Sequence, residues 1–183
     1  MDYLSVTEVL SPYQDFSKVP EARLEAARIR GTVVDKFCKL YAKGIWPVVP
    51  EEYRGYFESF KKWWLTVVDL TKPIDMDPEL VDENFGFIGH PDFILTLKRE
   101  DYRSVWDLKT PVIHYPTWRA QLAAYKHLAN IEQVERDEFL IGRCGSVMLD
   151  SKGKKPKVHS YEDNARDFAA FLAALTAHRF FRR

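Results

Sequence analysis

The chain has only two cysteines, Cys38 and Cys144, in 183 residues. Two thiols so far apart in sequence set no disulfide framework and point to a reduced, intracellular setting. They also exclude a four-cysteine iron–sulfur cluster within this chain. The N-terminus lacks a basic stretch followed by an apolar core, so no signal peptide is expected. No apolar run is long enough to span a bilayer, so no membrane partner is expected. There is no Gly-x-x-x-x-Gly-Lys loop, which removes ATP binding of the P-loop kind. His90 and His114 lack a His-x-x-x-His spacing or a neighbouring cysteine pair, which leaves zinc without support. Excess charge of either sign is missing too. The 27 basic and 27 acidic residues cancel, so no global field attracts a polyanion. Basic surface must be local, in Lys152-Gly153-Lys154-Lys155-Pro156-Lys157 or at Arg179, Arg182 and Arg183.

What is present suits an ordered protein. Hydrophobic residues make up 46% and aromatics 14%, which argues against disorder. The length fits one domain, residues 1–183, able to bury roughly 70% of its unfolded surface. Ser5 followed by Glu8 predicts a capped short helix to Leu10. Pro12 to Val19 reads as loop. Pro20 opens a helix to about Lys43, with Leu24, Ala27, Gly31, Val34, Cys38 and Tyr41 on one stripe. Close packing is the expected reason for Gly31, and Gly44 is the expected terminator. A second helix spans Glu51 to Asp69, with Trp63 in the core and Trp64 as its amphipathic neighbour.

Three strands are expected at Leu80–Phe85, Asp92–Leu97 and Val105–Thr110, with Gly86–Gly89 and Lys98–Ser104 as connections. Leu70–Pro78 and Pro111–Pro116 read as irregular. A helix over Trp118–Asn130 and a strand over Asp137–Cys144 follow. Val147–Leu149 can pair with Lys157–Ser160 across the lysine-rich turn. An amphipathic helix over Tyr161–His178 closes the chain.

The chemistry concentrates in Asp107-Leu108-Lys109. In a strand, residues two apart share a face, so Asp107 and Lys109 point one way while Trp106 and Leu108 pack the other. A hairpin with the preceding strand would bring Asp92 to the same spot. Two carboxylates form a hard-oxygen site suited to Mg²⁺ or Mn²⁺, and a neighbouring lysine can orient a water. These are parts for metal-assisted phosphodiester cleavage.

The order Gly89-His90-Pro91-Asp92, then Val105-Trp106-Asp107-Leu108-Lys109-Thr110, then Gln121 with Tyr125, resembles the PD-(D/E)xK nucleases. The branch it resembles holds the RecB nuclease domain, phage exonucleases and the mitochondrial genome maintenance exonuclease. Arg30-Gly31-Thr32-Val33-Val34-Asp35 resembles the first motif of that branch, with Asp35 in place of its usual histidine. The likeness runs from about Ser5 to about Cys144. It implies an α/β, restriction-endonuclease-like α-β-β-β-α-β core, with a small mixed sheet flanked by helices. It implies one or two Mg²⁺ or Mn²⁺ ions held by Asp92, Asp107 and the Leu108 carbonyl, with Glu83 and Asp35 as candidate further ligands. Lys109 and Gln121 would complete the catalytic set, and Tyr125, Lys126 and Arg30 would contact DNA. The implied activity is a deoxyribonuclease, chiefly an exonuclease on ends or single strands in recombination or repair. By analogy it is a phage or mobile-element enzyme, with a recombinase or single-strand-binding protein as candidate partner. No zinc finger or helix-turn-helix is present to read a duplex sequence. Two alternatives stay open. One is an inactive nuclease-fold module binding DNA or protein, favoured by Asp35 and the neutral charge. The other is a structure-specific endonuclease with the same chemistry. Nothing in the sequence reports an oligomeric interface.

Overall fold

The computed structural model describes residues 3–17, 19–111, 113–136 and 138–181. Ser5 caps helix α1 (Val6–Leu10) by accepting a hydrogen bond from the Glu8 N–H at 3.1 Å. Helix α2 (Glu21–Ala42) starts behind Pro20, and Gly44, at φ +79°, turns the chain away after it. Helix α3 (Glu51–Val67) follows. After β1 (Leu4–Ser5) come strands β2 (Asp75–Met76), β3 (Leu80–Asp82), β4 (Phe87–Gly89), β5 (Phe93–Thr96) and β6 (Arg103–Lys109). Helix α4 (Thr117–Glu135) leads to β7 (Arg143–Met148), β8 (Lys157–Tyr161) and helix α5 (Asn164–Phe181).

Among the described residues the fold is α/β, with two mixed sheets and five α-helices. The larger sheet has the order β2-β5-β6-β7-β8 and the smaller β1-β4-β3. β5 and β6 are antiparallel with Phe93 opposite Trp106, whereas β6 and β7 are parallel, with α4 as their crossover. Strand alternation divides the core between two faces. Phe93, Leu95, Trp106 and Val147 pack with Val34 and Cys38 of α2 and Phe60, Trp63 and Trp64 of α3. Ile94, Val105 and Cys144 pack on the other face with α1, α4 and α5. The first cluster is largely aromatic, with Phe60 stacked on Phe93 at 6.0 Å and Trp63 edge-on to Trp106 at the same separation.

Several expectations need correction. Phe87–Gly89 is a strand rather than a connection, because it pairs with both β1 and β3. Asp75–Met76, expected in a loop, adds a short edge strand beside β5. Helix α4 continues to Glu135, and the strand expected from Asp137 begins only at Arg143. Residues 138–141 lack a strand partner; the Glu138 N–H bonds back to Gln133 and the Ile141 N–H to Asn130, both on α4, and only at Gly142 does the chain reach β6, through the Arg103 carbonyl. Asp137 itself, like Arg182 and Arg183, lies outside the described residues. Trp64 is as buried as Trp63. Gly31 is not there for tight packing, since a methyl group would meet only Thr110 Oγ1, at 3.9 Å. No helix among the described residues is long and apolar enough to cross a membrane.

Candidate active site

The site lies where β6 ends and β5 begins. Extending the β5–β6 register one residue past Phe93–Trp106 sets Asp92 opposite Asp107. Asp92 Oδ2 accepts the Leu108 N–H at 2.6 Å. The next residue opposite Leu108 is Pro91, which has no N–H to give. By strand alternation the Leu108 carbonyl lies on the same edge as its N–H, beside Asp92. The proline therefore leaves that edge to the side chain of Asp92.

Lys109 shares a face with Asp107, and its ammonium is 2.5 Å from Asp107 Oδ2. Helix α4 supplies the rest. Gln121 Oε1 accepts from Lys109 Nζ at 2.9 Å, while Gln121 Nε2 donates to the Tyr125 hydroxyl at 3.1 Å. One amide thus ties lysine to tyrosine across a single turn of helix. Trp106 and Leu108 pack on the opposite face, as alternation requires.

Asp35 comes from the middle of α2 and reaches the same cavity, which Gly31, Thr32, Asp92, Asp107, Lys109, Gln121 and Tyr125 also line. Its Oδ2 is 2.8 Å from Lys39 Nζ, one turn further along the helix. Lys39 was not foreseen from the sequence. Its ammonium also lies 2.9 Å from Asp92 Oδ1 and 2.5 Å from Asp77 Oδ1. The i,i+4 spacing of Asp35 and Lys39 was a legible signal, but it reads as an ordinary helix pair until β5 brings Asp92 alongside.

The electrostatics follow from this crowding. Burial pushes the Asp107 carboxyl up to about 6, against the pull of Lys109 and with help from Asp92. Burial, followed by the charge of Asp92, pushes Asp35 to about 7 despite Lys39. Burial would lower the Lys39 ammonium, but Asp92 and Asp35 outweigh it and hold its pKa above the usual lysine range. The Tyr125 hydroxyl is shifted upward, by burial first and then by Asp107.

Of the other expected residues, Glu83, Lys126 and Arg30 fall outside this cavity, whereas Tyr125 lines it. Glu83 is exposed just past the end of β3, and it does not line the cavity. The inward acid of β3 is Asp82, 2% exposed and engaged by His127 Nε2 at 2.6 Å. Lys126 lies on another face of α4, where its ammonium donates to the Gly142 carbonyl at 2.9 Å and to Asn164 at 2.8 Å. Tyr125 lines the cavity but is only 3% exposed, so it acts as an internal strut rather than an outer contact. Arg30 lines a neighbouring groove, with its guanidinium 5.8 Å from the centre of the Tyr56 ring.

The donor chemistry fits a hard divalent cation. Three carboxylates line one cavity, and Asp35 Oδ1 is buried without a hydrogen-bond partner. Among the described residues, no three His, Cys, Asp or Glu side chains already form a metal-holding group. An ammonium stands among the acids instead. Asp92, Asp107 and the Leu108 carbonyl are the groups that would hold a cation, with Asp35 as a further donor. Compared with protein-family models and with curated protein sequences, the chain matches none.

Proposed function

We propose that the protein is a divalent-metal-dependent deoxyribonuclease of the PD-(D/E)xK type, acting as an exonuclease on DNA ends or single strands. The observation that carries this reading is the convergence of Asp92, Asp107 and Lys109 in one cavity, with Lys109 held by Gln121. A bound Mg²⁺ or Mn²⁺ would polarise the phosphoryl oxygens and acidify a water. The chain's own part is positioning. Asp92 is fixed by the Leu108 N–H. The Lys109 ammonium, shared between Asp107 and Gln121, sets a cation beside the reacting phosphate. The lysine-rich turn adds local basic surface. Met148, paired with both Lys109 and Lys157, places that turn at the active end of the sheet.

The test is incubation of end-labelled linear DNA and covalently closed circular DNA with Mg²⁺ or Mn²⁺, followed by product sizing. Mononucleotides from linear DNA alone support an exonuclease. Cut circles would instead indicate an endonuclease. Asp92→Asn and Asp107→Asn should each abolish cleavage and weaken metal binding while the protein remains folded.

One observation favours a second reading, a nuclease-like module that binds without cutting. The single ammonium of Lys39 already pairs with Asp35, Asp77 and Asp92. A metal titration decides between them, since an inactive module should bind no cation that depends on Asp92 and Asp107.

A further inference from the structure

A groove of about 710 Å³ opens beside the acidic cavity and shares Thr7, Lys109, Pro111 and Gln121 with it. One wall is the first half of α2. From Glu21 to Val33 no residue of that helix is buried, although Leu24 and Ala27 face the groove. The other wall is the segment between β6 and α4. There Ile113 is 61% exposed, and the half-buried Tyr115 meets Phe16 edge-on at 5.6 Å.

Charge is sharply sorted along this surface. Among the described residues the groove is lined by Arg23, Arg28, Arg30 and Lys109 and by no carboxylate. The adjoining cavity holds Asp35, Asp92 and Asp107. In a chain of zero net charge this is local segregation. An apolar floor with aromatic edges and a cationic rim therefore leads to Lys109, whose ammonium both cavities share.

We propose that this groove seats an unpaired DNA strand, with bases against Phe16 and Tyr115 and phosphates at Arg23 and Arg28, and delivers its end to Lys109. The inference rests on the nuclease reading and names the form of substrate that the site takes. Flat apolar ring faces suit nucleobases of any sequence. Paired bases hide their faces in the stack, so only a single strand or a frayed end can use such a shelf. Arg28 pairs with Glu25 at 3.4 Å across an exposed helix turn, a pairing weak enough for a phosphate to replace. A purely apolar peptide would leave the arginines of the rim without partners. A duplex would engage them but not the aromatic edges.

The experiment uses the full chain, fluorescein-labelled dT12 and EDTA, with anisotropy read at two salt concentrations. A blunt duplex of the same length is the competitor. Tighter binding of dT12 than of the duplex is expected. Arg23→Glu combined with Arg28→Glu, both on the exposed side of α2, should weaken dT12 binding at least tenfold and flatten its salt dependence. Tyr115→Ala should weaken it about fivefold or more. Mn²⁺ binding, measured by calorimetry, should stay unchanged in the arginine variant. Equal binding of duplex and single strand overturns the proposal, as does undiminished dT12 binding by the arginine variant. The two readings also separate. If dT12 binds through these residues but is never cut with Mg²⁺ or Mn²⁺, the nuclease reading fails and the groove stands. If single strands are cut and the groove variants bind and cut like the parent, the groove fails and the nuclease reading stands.

Discussion

Lys39 Nζ lies 2.9 Å from Asp92 Oδ1, so the first acid of the candidate metal site already has a cation of its own. Asp35 and Asp77 share that cation. Its side chain is 12% exposed, so the pairing is only partly screened by water. A divalent ion entering beside Asp92 must displace or tolerate this ammonium. Lys39→Met should therefore act in two directions. Without metal, the acids lose their partner and stability should fall by about 3 kcal/mol, as when one side of a buried ion pair is removed. With metal, Mn²⁺ affinity should rise about tenfold or more. Thermal melts in EDTA and calorimetric titration measure the two effects. A drop in Mn²⁺ affinity would show that Lys39 supports the ion rather than competing with it.

Gln121 holds Lys109 through its oxygen and Tyr125 through its nitrogen. Gln121→Leu keeps the size and removes both bonds. The Lys109 ammonium would then be held by Asp107 and the face of Trp118, drawn away from the place where a phosphate must sit. Single-turnover cleavage should slow by about 10- to 100-fold, in the range of losing one partner that orients a functional group. Mn²⁺ affinity should be unaffected, because Gln121 holds none of the acids. Loss of metal binding in parallel with rate would mean that Gln121 shapes the metal site itself.

The raised carboxyls fix a sign for the pH dependence of stability. Burial lifts Asp107 to about 6 and Asp35 to about 7. A carboxyl with a higher pKa folded than unfolded binds more protons in the folded state. The stability it contributes is full below the unfolded value, near 4, and is lost as pH rises through 6 and 7. The metal-free protein should thus melt lower at pH 8 than at pH 5. After allowance for partial exposure and shared neighbours, the loss is about 1–2 kcal/mol, or roughly 2–8 °C for a chain of this size. Saturating Mg²⁺ or Mn²⁺ should raise the melting temperature more at pH 8 than at pH 5, since the cation needs deprotonated acids. A melting temperature in EDTA that rises across this range would contradict the burial argument.

Local signals in the sequence located most of the elements. Ser5 and Glu8, Pro20, Gly44 and the strand alternation around Trp106 act through neighbours a few residues away. They put helices, strands and the faces of Asp107 and Lys109 where the structure has them. What stayed hidden depends on distant partners. Phe87–Gly89 reads as a turn because Gly86 precedes it and Gly89 ends it, and it becomes a strand only because β1 and β3 bracket it. Phe139-Leu140-Ile141 reads as a strand, but no neighbour pairs with it. Lys39 and Lys126 show the same limit at the site. Which helix face looks toward the acids is decided by packing, so a lysine thought to be a DNA contact faces away and an unremarked one stands among three carboxylates.

Gly89 illustrates how packing reaches the chemistry. It ends β4, where it pairs with Leu80 of β3 and lies against α4. A methyl group there would come 2.7 Å from Leu128 Cδ1 and 2.8 Å from the Tyr125 ring. Both neighbours are buried, with Tyr125 at 3% exposure and Leu128 at 1%, so neither can swing clear. Gly89→Ala should therefore cost about 1–3 kcal/mol through overpacking. Tyr125 is the anchor of Gln121, and Gln121 holds Lys109, so the displacement should travel along those two hydrogen bonds. Turnover should fall along with stability, although residue 89 touches no reacting group. The source of the effect can be isolated with Leu128→Ala, which opens space on one side of the added methyl. Combined with Gly89→Ala, it should cost less than the sum of the two single changes, because the clash relieved in the pair is absent from Leu128→Ala alone. Denaturant unfolding of the four proteins measures this coupling. Strict additivity would mean that the methyl is accommodated elsewhere and that the close approach of β4 to α4 is not what requires glycine.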